Sequence, residues 1–152
     1  IYLFLEVKLF KKIKTIYIAS DHAGLALKDL IINDYLSKKD IDYVDLGTKS
    51  EASVDYPKFA KKLCNKITPK SMGILICGSG IGVSISANRH SHIRASLCHN
   101  ANSAKMTRKH NDSNVICFQG RPFVKKNIFA MLNAYFDTEF EEGRHLRRIK
   151  QL

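Results

Sequence analysis

The 152-residue chain has no tryptophan, three prolines and no Cys-x-x-Cys pair. Without that spacing, zinc knuckles and thioredoxin-like redox chemistry are excluded. Four cysteines remain, Cys64, Cys77, Cys98 and Cys117, and three of them sit in or beside apolar runs. They are expected to be buried, reduced thiols of a cytosolic protein and not a disulfide framework. Long apolar runs are missing too. Residues 1–10, IYLFLEVKLF, are interrupted by Glu6 and Lys8, and their longest clean run is five residues. That is shorter than a signal-peptide core and far shorter than a membrane span, so a soluble, cytoplasmic protein with no membrane contact is expected. Acidic residues are scarce: 25 Lys and Arg stand against 14 Asp and Glu, a formal net charge of +11. Such a surface attracts nucleic acid, an anionic membrane or a phosphorylated small molecule. There is no block of five like charges, no aromatic–basic stripe and no helix-turn-helix signal, so a nucleic-acid partner is not expected.

What is present is ordinary for one soluble domain: 45% apolar and 26% charged residues, with no repeat or linker. Short apolar runs alternate with helical patterns. KTIYIAS (14–20), IDYVDLG (41–47), MGILIC (72–77), IRASLC (93–98) and NVICFQG (114–120) read as strands, the third apolar enough to be buried on both faces. Between them, 24–39 has Leu27, Leu30, Ile31 and Leu36 near helical spacing with lysines opposite. The segment 53–67 puts Phe59, Ala60, Leu63, Cys64 and Ile67 on one face, with Ser53 as its expected cap. Helices are also expected from residue 82, over 100–109, over 123–136 and, short and basic, after Gly143. Five strands alternating with helices imply one doubly wound, Rossmann-like α/β domain: a five-stranded parallel sheet with helices on both faces. Ligands of such domains sit beyond the carboxyl ends of the strands, where the strand order reverses. That rule selects the loops SDHAG, LGTKS, CGSGIG, CHNAN and FQGR.

The loop Gly78, Ser79, Gly80, Ile81, Gly82 lacks the sixth-position glycine of a dinucleotide fingerprint and the Gly-Lys-Ser/Thr of a triphosphate loop. A nucleotide cradle and a packing turn stay open, but an anion-binding nest of backbone N–H groups is favoured. Cys77 ends a buried strand at that nest, a placement that favours thiolate and hence a nucleophile or base. Asp21 and His22 end the first strand and could bind a sugar hydroxyl or a phosphate, or cap the next helix. His110 and Asn111, in RKHND, could be an acid or base and a hydrogen-bond donor, or a helix end. Arg121, Arg144 and Arg148 are candidate phosphate clamps, the last two four apart on one helix face. The other histidines, 90, 92 and 99, have no partners at ligand spacing, and no metal site is expected.

In order and spacing, SDHAG, DYP (55–57), ILICGSGIGVSISANR, RKHND, NVICFQGR and EGRHLRR together resemble ribose-5-phosphate isomerase of the B type, in the family that also holds galactose-6-phosphate isomerase subunits. The likeness runs over residues 11–152. Residues 1–10 lie outside it and, as the chain begins without Met, read either as a start-site extension or as part of an excised fragment. The resemblance implies a metal-free, nucleotide-free interconversion of ribose 5-phosphate and ribulose 5-phosphate through a cis-enediolate, a step of the non-oxidative pentose phosphate pathway. It implies a homodimer or dimer of dimers with active sites shared between subunits, the basic segment 143–152 contacting the partner. By motif, Cys77 matches the base that moves the proton between C1 and C2, and His110 the group that opens the furanose ring. Asp21 matches the residue that binds the ring oxygen or hydroxyls. Gly78, Ser79, Gly80, Ile81 and Gly82 match the anion hole, and Tyr56 lines the sugar. His22, Asn111, Arg121, Arg144 and Arg148 match substrate and phosphate contacts. Some relatives use a glutamate after the loop as base; Cys77 follows the cysteine pattern. The alternative implied substrate is a six-carbon sugar phosphate such as galactose or allose 6-phosphate. A non-catalytic basic binding module is the competing class.

Overall fold

The computed structural model describes residues 12–152, so the expected extension at 1–10 lies outside the described residues. Strand β1, Thr15–Ser20, alternates half-buried and buried positions before ending in three buried residues. A single tight turn, His22–Gly24, leads into α1, Leu25–Asp34. The chain leaves α1 at Tyr35, whose buried ring anchors to the opposite helix by donating its hydroxyl to Asn133 at 2.8 Å. The helix expected over 24–39 is therefore shorter and is followed by a separate turn, Leu36–Lys38. Strand β2, Asp42–Asp45, is an exposed edge strand.

Helix α2, Tyr56–Cys64, starts later than its apolar spacing suggests. Asp55, and not the expected Ser53, stands at its cap, and Pro57 occupies the first turn, where a missing N–H costs nothing. Strand β3, Ser71–Cys77, is buried throughout. Helix α3, Ile81–Ala87, and the short β4, Ala95–Leu97, come next. Asn88 takes up the backbone of Ala95 with both ends of its amide, accepting from N at 2.8 Å and donating to O at 2.9 Å. Helix α4, Ala101–Asn111, opens with Asn100 and Ser103 capping each other. Strand β5, Val115–Gln119, helix α5, Lys125–Phe136, and helix α6, Arg144–Ile149, complete the chain.

All strand pairs are parallel, in the order β2-β1-β3-β5-β4. Successive side chains of a strand face opposite sides of the sheet, and the core divides accordingly. Ile74 and Ile76 join α1, α4 and α5 on one face, whereas Leu75 and Cys77 join α2 and α3 on the other. The doubly wound expectation holds. One feature of α1 departs from it: Lys28, expected on the wet face opposite the leucines, is fully buried. The strand order reverses between β1 and β3, where Ser20, the last residue of β1, pairs in register with Ile76, one before the end of β3.

Leu75 lies on the central strand with no exposure. Leu75→Ala should lower stability by about 2–5 kcal/mol through lost transfer energy and a residual cavity; the urea midpoint measures it.

Candidate active site

The reversal point holds one set of candidate residues. The Asp21 amide donates to the Ile76 carbonyl at 3.2 Å, which sets Asp21 beside Cys77 across the two strand ends. One Asp21 carboxylate oxygen accepts from Gly24 N at 3.0 Å, and the other makes no hydrogen bond among the described residues. Asp21 therefore caps the turn and still presents an acceptor. His22 takes the Val54 amide on Nδ1 at 3.2 Å, so in its neutral form the ring keeps its hydrogen on Nε2, ready to donate to an oxygen.

Cys77 is buried, and its Sγ accepts the Gly80 N–H at 3.2 Å. A bond of this kind strengthens as charge builds on the acceptor. The loop bends at Gly80, with φ of 77°, where a Cβ would lie 2.8 Å from the Phe118 carbonyl oxygen. Tyr56 lies across Gly82, where a Cβ would come within 2.6 Å of the phenol ring. Ser79 is exposed, and its hydroxyl accepts the Ile81 amide at 3.2 Å. The Arg121 amide donates to the Gly78 carbonyl at 3.2 Å, which ties the arginine's backbone to the same loop. Asp21, His22, Tyr56, Cys77, the 78–82 loop and Arg121 thus share one end of the sheet. Burial pushes the Cys64 thiol up to about 11 and raises Cys98 and Cys117 as well, so these three are held as inert thiols.

His110, Asn111, Arg144 and Arg148 lie at the opposite end. Helix α4 starts beyond the carboxyl end of β4 and runs back for 11 residues, roughly 16 Å at ~1.5 Å per residue. The Asn111 carbonyl consequently meets Arg94, the residue before β4, whose Nε donates to it at 2.9 Å. His110 stacks on His145 of α6 with ring centroids 4.3 Å apart and planes 16° from parallel. Arg144 and Arg148 are exposed on α6 beside this pair. The RKHND motif divides its labour. Buried Arg108 holds the helix end through Asp112 at 3.0 Å and the Ser113 carbonyl, and leaves His110 and Asn111 facing outward. The candidate residues therefore fall into two clusters at opposite ends of the sheet.

Two buried side-chain atoms have no hydrogen-bond partner among the described residues, Ser20 Oγ and His145 Nε2. Both belong to these clusters, and neither was singled out from the sequence. His145 could have been found as the partner of Ile149, four residues on, in the inward stripe of α6; Ser20 leaves no such signal. Among the described residues no group of three or more His, Cys, Asp or Glu is placed to hold a metal ion, and no helix is long and apolar enough to cross a membrane.

Residues 16–152 match the family model described as Ribose/Galactose Isomerase. The chain belongs to that family. It is 35% identical over 141 residues to ribose-5-phosphate isomerase B of Escherichia coli, covering 91% of this chain and 94% of that protein. The crystal structure of ribose 5-phosphate isomerase B from Thermotoga maritima superposes with a TM-score of 0.87 at 44% identity, over 91% of this chain and 96% of that one. The isomerase B of Mycoplasma genitalium with bound ribulose-5-phosphate superposes with a TM-score of 0.85 at 38% identity, over 90% and 92% of the two chains. The family match covers both clusters, because it includes α4 and α6 as well as the glycine loop.

Burial pushes the His145 imidazole below its usual value, and the neighbouring charges of His110 and Arg144 push the same way. The unfolded chain then binds the proton more readily near its own pKa of about 6.5, so stability is present above that value and is lost as pH falls through it. Unfolding midpoints should hold above about pH 6.5 and fall below it, and His145→Asn should flatten the fall.

Proposed function

We propose that this chain interconverts ribose 5-phosphate and ribulose 5-phosphate with its own side chains as acid and base, in an assembly of at least two copies. The observation that carries the reading is the Cys77 sulfur, set at the reversal of strand order, touching a loop amide and beside an Asp21 carboxylate with a free oxygen. The family supplies the substrate class, and a relative at 38% identity is a structure with ribulose-5-phosphate bound.

The steps follow from what the chemistry needs. The furanose must first open. The protonated His110 imidazole gives its proton to the ring oxygen as the C1–O bond breaks, and the Asp21 carboxylate takes the proton of the anomeric hydroxyl, giving the open aldose. Cys77, as thiolate, removes the proton from C2. The electron pair moves toward the C1 carbonyl, and negative charge develops on the enediolate oxygen. Amides of the 78–82 loop and the Ser79 hydroxyl stabilise that oxygen more in the transition state than in the ground state; losing one such donor typically costs about 3 kcal/mol. The O2 proton passes to O1, and the thiol returns its proton to C1, leaving the ketose. Tyr56 packs beside the sugar. Arg121, Arg144, Arg148 and His22 hold the phosphate, whose binding energy orients C1 and C2 against sulfur. Asn111 donates a hydrogen bond to the substrate.

The two clusters lie at opposite ends of one chain, so His110, Asn111, Arg144 and Arg148 would reach Cys77 from another copy. Exposed Ile81 and Ile85, four apart on α3 beside the glycine loop, offer an apolar surface for it. Cys77→Ala should abolish turnover while phosphate binding persists. His110→Ala should lose the cyclic sugar more severely than the open-chain form. The two inactive variants, mixed and allowed to exchange subunits, should recover about a quarter of wild-type activity: random pairing makes half the dimers mixed, and each mixed dimer has one intact site. No recovery would remove the shared site.

Substrate length is a separate question. A kcat/KM higher for ribose 5-phosphate than for allose or galactose 6-phosphate is expected; the opposite order would assign the six-carbon reaction.

A further inference from the structure

A buried ammonium is costly unless it is paired and hydrogen-bonded, and an apolar side chain of similar volume would serve stability as well or better. Lys28 in α1 is such a group, fully buried. Its Nζ donates to Asp45 Oδ2 at 2.6 Å and, more weakly, to the half-exposed Asp29 at 3.4 Å. The second Asp45 oxygen accepts the Gly47 amide at 2.8 Å. Gly47 and Thr48 then clasp Ser20 from both sides: the Ser20 amide donates to Gly47 O at 2.7 Å, and the Thr48 amide donates to Ser20 O at 2.8 Å. Ser20 immediately precedes Asp21. The same stretch of chain runs on to Val54, whose amide holds His22 Nδ1 at 3.2 Å.

We propose that Lys28, acting through Asp45, is a positioning residue for the sugar-phosphate site, fixing the 45–48 segment against the end of β1 and thereby the placement of Asp21 and His22. Lys28 touches none of the candidate reacting groups. Its charge is buried where it orients one carboxylate, and that carboxylate orients the backbone on which two substrate contacts stand. The proposal rests on the isomerase reading only for its activity readout. Misplacing such contacts by a fraction of an ångström to 1 Å costs roughly ten- to a hundredfold, and here it falls on ground-state binding.

The test uses the full chain with Lys28→Met and two double variants. Lys28→Met should raise KM for ribose 5-phosphate roughly tenfold or more with kcat within about threefold, because Asp45 loses its partner and swings free. Lys28→Met with Asp45→Asn should recover most of the KM, since the asparagine oxygen still accepts from Gly47 and no buried charge is left unpaired. Lys28→Met with Asp45→Ala lacks the acceptor and should not recover. Amide resonances of Ser20, Gly47 and Val54 should shift in the single and Ala variants and return in the Asn variant. A purely structural lysine predicts lowered melting temperatures with KM within twofold throughout, and that result overturns the proposal. Equal KM for the two double variants does so as well, and decides the matter if Lys28→Met alone does not fold. If the wild type fails to turn over ribose 5-phosphate, the functional reading falls. Titration with inorganic phosphate then takes the place of KM: the His22 ring signals should respond in wild type and in the Asn variant, and weakly in the Ala variant. An equal response in both sinks the positioning role.

Discussion

Register between β1 and β3 governs the chemistry of this protein. Ser20 stands opposite Ile76, and the Asp21 amide continues the ladder one step further at 3.2 Å. That bond brings Asp21 and Cys77 to neighbouring places where the two strands end and the chain order reverses. A slip of β1 by one residue against β3 would turn Asp21 to the opposite face from Cys77. The register is held from both sides by the apolar alternation of β3, with Ile74 and Ile76 locked into one core and Leu75 and Cys77 into the other. The hydrophobic core thereby aims the site as well as stabilising the fold.

The parallel topology dictates the rest. A helix that follows a parallel strand must run back to the sheet's starting edge, so the residues at its end face away from the strand tips. His110 and Asn111 obey that rule at the end of α4, and α6 packs beside them. A domain with this winding cannot gather Cys77 and His110 into one cleft, which is why the proposed reaction calls on a second copy. The net charge of +11 suits an anionic substrate held between two such surfaces.

Much of this is legible in the sequence, for physical reasons. Strand ends show because apolar runs stop abruptly at Asp21 and at Cys77. Helix limits are less legible: Ser53 is a plausible cap by residue type, yet Pro57 and Asp55 set the start of α2. Lys28 is the plainest failure, since periodicity treats every lysine as solvated and carries no information about a carboxylate 17 residues away. The motif RKHND hides two jobs in five letters, because burial of Arg108 and exposure of Asn111 depend on tertiary packing. His145 escaped for the same reason, its ring buried by a stack with a residue far off in the chain.

At the sheet's outer margin, Asn88 satisfies both backbone groups of Ala95 on a strand of three residues. The opposite margin, β2, is only four residues long and is bracketed by Asp42 and Asp45. Short length, and on β2 a flanking charge at each end, blunt both rims as templates for another strand. Copies of this chain are steered away from edge-to-edge fusion of their sheets, the geometry from which runaway fibres grow. The second copy that the proposed reaction calls on would meet helices and loops, whose side chains can select a single mate and a single orientation.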